Sequence, residues 1–144
     1  MNFLLDTNVV SEWVKPKPDP AVAAWLAEID EDRAFLSVVT LAEIRHGVER
    51  LPNGGRRDRL DQWLQHDLLL RFESRILPID AAVADAWGRV VARRAATGRP
   101  IGTMDAFIAA TAQTHDLVLV TRNIPDFEGS VATLVNPWGR PPGA

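Results

Sequence analysis

The sequence lacks cysteine, and it contains no long apolar run. Without cysteine the chain can form neither disulfides nor a thiolate metal site, which is compatible with a reducing cytoplasm. The first apolar run ends at Asp6, and no basic flank precedes it. We therefore expect neither a signal peptide nor a membrane span, and a soluble cytoplasmic protein.

A surplus of positive charge is also missing. The formal net charge of -3 argues against electrostatic binding of nucleic acid over the whole surface. It leaves a local site open, because carboxylates that converge on a divalent cation reverse the sign of the field that a phosphate meets there.

Short apolar runs alternate with amphipathic helical patterns along the chain. The apolar runs predict strands at residues 3–5, 34–37, 76–79, 117–120 and 131–135. This alternation predicts an α/β fold with a parallel sheet of about five strands and helices on both faces. We expect one domain over residues 1–144, in which residues 137–144 form a C-terminal tail.

The first predicted strand ends at an acidic residue. Asp6 follows residues 3–5 directly, and Thr7 and Asn8 then begin a helix. In open α/β sheets, ligands bind in the crevice at the carboxyl ends of the strands, where Asp6 would lie. The alternative is that Asp6 only closes a turn and caps the helix.

Two further acids are predicted in the first turns of helices. Glu43 follows the strand at 34–37 and faces the same crevice, unless Thr40 and Glu43 form a capping box. Asp105 lies one turn into a helix for which Thr103 is a suitable N-cap, where exposed amides stabilise a negative charge. Asp105 adjoins an apolar helix face, so its carboxylate needs a partner or an ion.

The loop after the strand at 117–120 is the fourth location. Thr121 and Asn123 offer neutral oxygens, Arg122 offers a fork that matches phosphate, and Asp126 adds a carboxylate. A polar turn with no further role is the alternative. Clustered oxygen ligands suit Mg²⁺ or Mn²⁺, and the chemistry that such a cluster supports is phosphodiester hydrolysis by metal-activated water.

Four ordered blocks resemble the PIN domain, and within it the VapC and FitB type of toxin from bacterial toxin–antitoxin pairs. They are residues 4–8 (LLDTN), 37–48 (SVVTLAEIRHGV), 103–110 (TMDAFIAA) and 119–127 (LVTRNIPDF). The resemblance implies a ribonuclease dependent on Mg²⁺ or Mn²⁺. It implies that Asp6, Glu43 and Asp105 are the metal ligands.

The same resemblance extends to the neighbours of these acids and to partners. Asn123 matches a position where some members carry a fourth acid, and Asp126 is a possible substitute for it. Thr7 and Thr121 match small hydroxyl residues of the site. The family further implies an RNA substrate, a homodimer, and an antitoxin whose C-terminal segment covers the active site and whose other end binds operator DNA.

Two alternatives follow from the same sequence. A non-catalytic interaction module with the PIN fold would be favoured by loss of one of the three acids, and all three are present. A response-regulator receiver would need a lysine near its last strands, and the only lysines are Lys15 and Lys17. Five arginines are candidates for RNA contact, although two of them could belong to a solvated helix face: Arg45, Arg93, Arg94, Arg99 and Arg122.

Overall fold

A computed structural model describes residues 1–139, so residues 140–144 of the predicted tail lie outside the described part. Five parallel strands form one sheet in the order β3-β2-β1-β4-β5. The strands are β1 (Phe3–Leu5), β2 (Ala34–Ser37), β3 (Ile76–Leu77), β4 (Val118–Val120) and β5 (Leu134–Val135). The predicted α/β fold is confirmed.

Helices connect the successive strands. They are α1 (Thr7–Val10), α2 (Pro20–Glu28), α3 (Val38–Glu49), α4 (Gly55–Gln62), α5 (Leu69–Arg71), α6 (Ala81–Ala96), α7 (Thr103–Thr114) and α8 (Ile124–Phe127). The 3-10 turns Ser11–Val14 and Glu31–Arg33 follow α1 and precede β2, and the π-helical segment Trp63–Leu68 joins α4 to α5. Within residues 1–139 no helix is long and apolar enough to cross a bilayer.

The central strand β1 sets the position of the site. Leu4 lies opposite Phe35 of β2 and Leu119 of β4, and both pairings are parallel. Because every strand in the sheet runs in the same direction, all carboxyl ends meet at one edge. The residues that follow β1, β2 and β4 are therefore brought together there.

Both faces of the sheet are buried. Leu5 and Val120 pack under α1 to α4 and the π-helical segment, whereas Leu4 and Leu119 pack under α6 and α7. Successive residues of a strand point to opposite faces, so each strand contributes to two cores. Burial of each such side chain is worth about 1.5–3 kcal/mol, and it fixes the strand ends that carry the polar residues.

Two interpretations of helix starts from the sequence are wrong. The helix α3 begins at Val38, because Ser37 is its N-cap and accepts a hydrogen bond from the Val39 amide at 3.0 Å. Thr40 is thus inside the helix, and no capping box with Glu43 forms. Likewise, Gly102 rather than Thr103 is the N-cap of α7.

The last strand is also shorter than predicted, since β5 covers only Leu134–Val135. The residues before it belong to a turn that closes back on α8: the Ser130 amide and hydroxyl both donate to the Phe127 carbonyl, at 3.0 and 2.6 Å. This turn leaves Val131 packed against the core beneath the sheet rather than paired with β4.

Candidate active site

Asp6 lies at the carboxyl end of β1 and is buried, with 6% of its surface exposed. The Thr7 amide donates to its Oδ1 at 2.8 Å, and the Thr121 hydroxyl donates to its Oδ2 at 2.8 Å. Asp6 therefore caps α1, as the turn-and-cap alternative predicts. However, its second oxygen is held by a residue from the end of β4, so Asp6 also joins two strand ends.

Glu43 reaches the same edge from α3. It is half-buried, and the Thr7 hydroxyl donates to its Oε1 at 2.9 Å. Thr7 therefore contacts two of the predicted acids, through its amide to Asp6 and through its hydroxyl to Glu43. The reason that Glu43 faces the crevice is the early start of α3 at Val38, which places it in the second turn.

Asp105 enters from the other side of the crevice. It is the third residue of α7 and half-buried, and its neighbour Ala106 is fully buried in the core under α6 and α7. An acid in the first turn of a helix is stabilised by the free amides there. The fold thus brings Asp105 towards Asp6, although 98 residues separate them in the sequence.

These three acids raise one another's pKa. Burial raises the pKa of Asp6 above its ordinary 3.8, hydrogen bonds from Thr121 and Thr7 lower it, and the charges of Glu43 and Asp126 raise it. Burial and the charge of Asp105 raise the pKa of Glu43, which the Thr7 hydroxyl lowers. Burial and mutual repulsion therefore disfavour the charged forms of these carboxylates.

The pKa of Asp105 follows the same pattern. Burial raises it, as do the charges of Asp6 and Asp126, and only the Arg94 guanidinium lowers it. Such mutual repulsion is the electrostatic condition under which a divalent cation binds favourably.

The loop after β4 supplies the remaining predicted residues. Thr121 is fully buried, and its Oγ1 accepts a hydrogen bond from the Asn123 amide at 3.0 Å. Asn123 is the N-cap of α8 and Asp126 lies within that helix, and both are exposed. Arg122 is exposed as well, and its guanidinium lies 5.5 Å from the Trp138 ring.

The candidate RNA-contacting arginines are not equivalent. Arg45 forms ion pairs with Glu49 at 3.1 Å and Asp61 at 2.9 Å, whereas Arg93 is exposed on the surface of α6. For Arg94 the prediction of a solvated face is wrong, because only 7% of it is exposed. It follows Val90 by four residues, so the apolar periodicity of α6 contains the signal that places it inward.

Sequence reasoning also missed Asn8 and Glu12. The Asn8 Oδ1 accepts a hydrogen bond from the Arg122 amide at 3.4 Å, which connects α1 to the loop after β4.

Glu12 is buried, accepts a hydrogen bond from the Asp19 amide at 2.9 Å and forms an ion pair with Lys15. It therefore fixes the turn at residues 15–20 (KPKPDP). The sequence contained one signal for the burial of Glu12, which is a charged residue among the apolar residues at the start of a helix.

The carboxylate oxygens of Asp6, Glu43 and Asp105 are the ligands that a hard cation prefers, but these side chains do not form a coordination shell in this arrangement. Among residues 1–139 no three histidine, cysteine, aspartate or glutamate side chains are grouped so that they could hold one ion as they stand. Both Asp6 oxygens are hydrogen-bonded, whereas Glu43 and Asp105 are only half-buried. Binding of a cation by all three acids would therefore require an arrangement of these side chains other than the present one.

A cavity of about 370 Å³ extends from Glu43 along α3 and α4. Thr7 and Glu43 line its polar end, and Leu60 and Trp63 are among the residues of its apolar wall. The crevice is therefore open on this side to a larger molecule.

The fold and the site together define a class: a parallel α/β domain with a carboxylate centre at the carboxyl edge of its sheet. A sequence model of the PIN domain family matches residues 3–125. The chain belongs to the PIN domain family.

Two proteins of similar sequence and one solved structure match this chain over most of its length. The chain is 38% identical over 136 residues to Toxin FitB of Neisseria gonorrhoeae, covering 94% of this chain and 98% of that one. It is 36% identical to VapC ribonuclease Y4jK of Sinorhizobium fredii over 94% of this chain and 97% of the other. A solved structure of FitAB bound to an IR36 DNA fragment superimposes with a TM-score of 0.91 at 35% identity, covering 99% of both chains.

Proposed function

We propose that this protein is a metal-dependent endoribonuclease and the toxin of a toxin–antitoxin pair. The observation that carries the proposal is the crevice of Asp6, Glu43 and Asp105, in which each carboxylate raises the pKa of a neighbour. Membership of the PIN domain family, together with similarity to a protein named a ribonuclease and another named a toxin, supports it.

In this proposal Asp6, Glu43 and Asp105 hold Mg²⁺ or Mn²⁺. When bound, such an ion lowers the pKa of water and neutralises charge on the phosphorane oxygens. Water attacks the phosphorus in line, the bond from phosphorus to the 3′ oxygen breaks, and that oxygen takes up a proton. The products are a 3′-hydroxyl and a 5′-phosphate.

The hydroxyl residues position these acids. The Thr121 hydroxyl fixes Asp6 from β4, and the Thr7 hydroxyl fixes Glu43 from α1. Asn123 offers a neutral amide, which binds a cation more weakly than a carboxylate, so we assign it a supporting role. Asp126, whose charge reaches Asp6 and Asp105, is the fourth acid in this assignment, and Arg122 is a contact for the substrate.

The first experiment is cleavage of a mixed RNA pool by wild-type protein and by Asp6→Asn. Each reaction is run with Mg²⁺, with Mn²⁺ and with EDTA, and circular dichroism checks that both proteins are folded. We expect cleavage only by wild type and only with metal, because Asp6→Asn removes a ligand charge without changing shape. Metal-independent cleavage, or equal cleavage by Asp6→Asn, would contradict the assignment.

Folded wild type that neither cleaves RNA nor binds Mn²⁺ by calorimetry would instead indicate a non-catalytic interaction module. Mn²⁺ binding without cleavage would indicate a selective nuclease whose RNA is absent from the pool.

The proposed partners follow from the same comparisons. We propose a homodimer in the cytoplasm, inhibited by an antitoxin whose C-terminal segment covers the acids, with operator DNA bound only through the antitoxin. The similarity to FitAB bound to a DNA fragment supports such an assembly. The cavity of about 370 Å³ next to Glu43 offers room for the antitoxin segment.

A further inference from the structure

A second cleft lies next to the C-terminal end of α8. Its volume is about 180 Å³, and it is lined by the end of α6, the turn that follows it and the residues after α8. The lining residues are Arg93, Arg94, Thr97, Arg99, Glu128 and Gly129. Three guanidinium groups thus meet one carboxylate, which leaves this cleft with a formal surplus of positive charge.

Arg94 gives the cleft a fixed wall. It is 7% exposed, and it donates from Nε to the Arg99 carbonyl at 2.7 Å and from Nη1 to the Asp126 carbonyl at 2.8 Å. No carboxylate within residues 1–139 lies within 4.0 Å of its guanidinium. Two carbonyl dipoles and the more distant charge of Asp105 compensate this buried guanidinium, and an anion in the cleft would add to that compensation.

One donor group of Arg94 remains available. In the described part of the chain its Nη2 donates to no protein acceptor. Nη2 is not fully enclosed by protein, because it is absent from the enclosed side-chain atoms of residues 1–139 that have no hydrogen-bond partner. Nη2 therefore reaches solvent from a side chain that lines the cleft.

The two exposed arginines are also available to a ligand. Arg93 forms no ion pair with residues 1–139. Arg99 Nη2 donates to the Pro125 carbonyl at 3.1 Å, and its pair with Glu128 is long, at 3.8 Å, with both side chains about half exposed. Exposed pairs of this kind are worth roughly 0–1 kcal/mol, so a phosphate can displace Glu128. Guanidinium forks match phosphate oxygens in geometry and charge.

The short helix α8 joins this cleft to the acids. Arg94, which lines the cleft, donates to the Asp126 carbonyl, while the Asp126 carboxylate acts on Asp6 and Asp105. A nucleic-acid strand that passes over α8 would present successive phosphates to both places. Resting on the proposed function, we propose that the arginine cleft binds a backbone phosphate of the RNA, outside the bond that is cleaved.

The test compares Arg93→Gln, Arg99→Gln and the double variant with Arg89→Gln. Arg89 lies one turn earlier on α6 and is exposed and paired with Asp85 at 3.0 Å, so Arg89→Gln changes the net charge equally outside the cleft. In an Asp6→Asn background with Mg²⁺, binding of a fluorescent single-stranded RNA is measured by anisotropy over a range of salt concentrations. In the wild-type background, KM and kcat for cleavage are measured.

We expect the double variant to raise Kd and KM roughly tenfold with kcat unchanged, and Arg89→Gln to change them by less than about twofold. The slope of log Kd against log salt should fall by about 0.7 for each arginine removed from the cleft. A structural role of these arginines alone would lower stability without changing the salt slope, and thermal unfolding of each variant separates the two.

Equal Kd, salt slope and KM for the cleft variants and Arg89→Gln would overturn the phosphate cleft while the nuclease assignment stands. Absence of both RNA binding and cleavage in the parent proteins would overturn both proposals.

Discussion

At the scale of single residues, the site depends on hydroxyl groups that hold carboxylates in place. Thr121 is buried, donates to Asp6 and accepts from the Asn123 amide. Its hydrogen bond is also one of the effects that keep the pKa of Asp6 from rising further. One hydroxyl thus connects the ends of β1 and β4 and the start of α8.

Replacement of Thr121 by valine tests this role at nearly constant volume. We expect Thr121→Val to lower the free energy of unfolding by about 1–2 kcal/mol, because the Asp6 oxygen and the Asn123 amide lose their partner. Cleavage should fall roughly tenfold, since the orientation of a ligand residue is lost. Urea unfolding and cleavage rates measure the two effects.

Thr121→Ser is the matched control, because it keeps the hydroxyl and should retain most of the activity. A Thr121→Val protein as active as Thr121→Ser would show that the hydroxyl does not position Asp6.

At the scale of elements, helix starts decide where the acids lie. Ser37 ends β2 and at the same time caps α3, so strand and helix meet without a loop. Its buried hydroxyl accepts from the Val39 amide at 3.0 Å. This abrupt transition fixes the rotation of α3 and directs Glu43 into the crevice.

Loss of this cap should affect both stability and activity. We expect Ser37→Ala to cost about 1 kcal/mol in urea unfolding with an unchanged m value, as is usual for N-cap residues. Cleavage should fall as well, because α3 carries Glu43. Asp19→Ala removes the cap of α2, which carries no site residue, and should destabilise similarly without changing cleavage.

If Ser37→Ala and Asp19→Ala reduced cleavage equally, the effect would come from general destabilisation. The position of α3 would then not be what determines the cleavage rate.

At the scale of the whole molecule, the acidic crevice makes stability depend on pH and on divalent cations. The folded pKa values of Asp6, Glu43 and Asp105 are raised above their ordinary values of 3.8 for aspartate and 4.5 for glutamate. Between those values and the raised ones, the folded state binds more protons than the unfolded state. The contribution of these acids to stability therefore decreases as pH rises through that window.

We accordingly expect metal-free Asp105→Asn to be more stable than metal-free wild type at pH 7. The difference should shrink as the pH approaches 4, where both states of Asp105 take up a proton. At pH 7, Mn²⁺ at a hundred times its Kd should stabilise wild type by about 2.7 kcal/mol, and Asp105→Asn much less. Urea unfolding at pH 4, 5.5 and 7, with Mn²⁺ and with EDTA, measures these differences.

Equal stability of the two proteins at every pH, together with no effect of Mn²⁺, would contradict the metal-ligand assignment of Asp105.

Local signals in the sequence predict the strands and most of the helices, and they single out the acids as candidate site residues. Apolar runs such as residues 3–5 have no stable place except a buried strand, and capping residues such as Asp19 and Asp80 act on amides of the next few residues. Both signals are local, so a single sequence contains them. The resemblance to the PIN domain then ordered the acids into one site.

The surroundings of those acids follow from the packing of distant parts of the chain. Whether Glu43 caps its own helix or faces Thr7 depends on the packing of α3 against α1, and whether Arg94 faces water or the protein depends on where α8 lies. These contacts join residues that are more than 30 positions apart. Their energies depend on distance in space and on burial, which no local pattern of the sequence specifies.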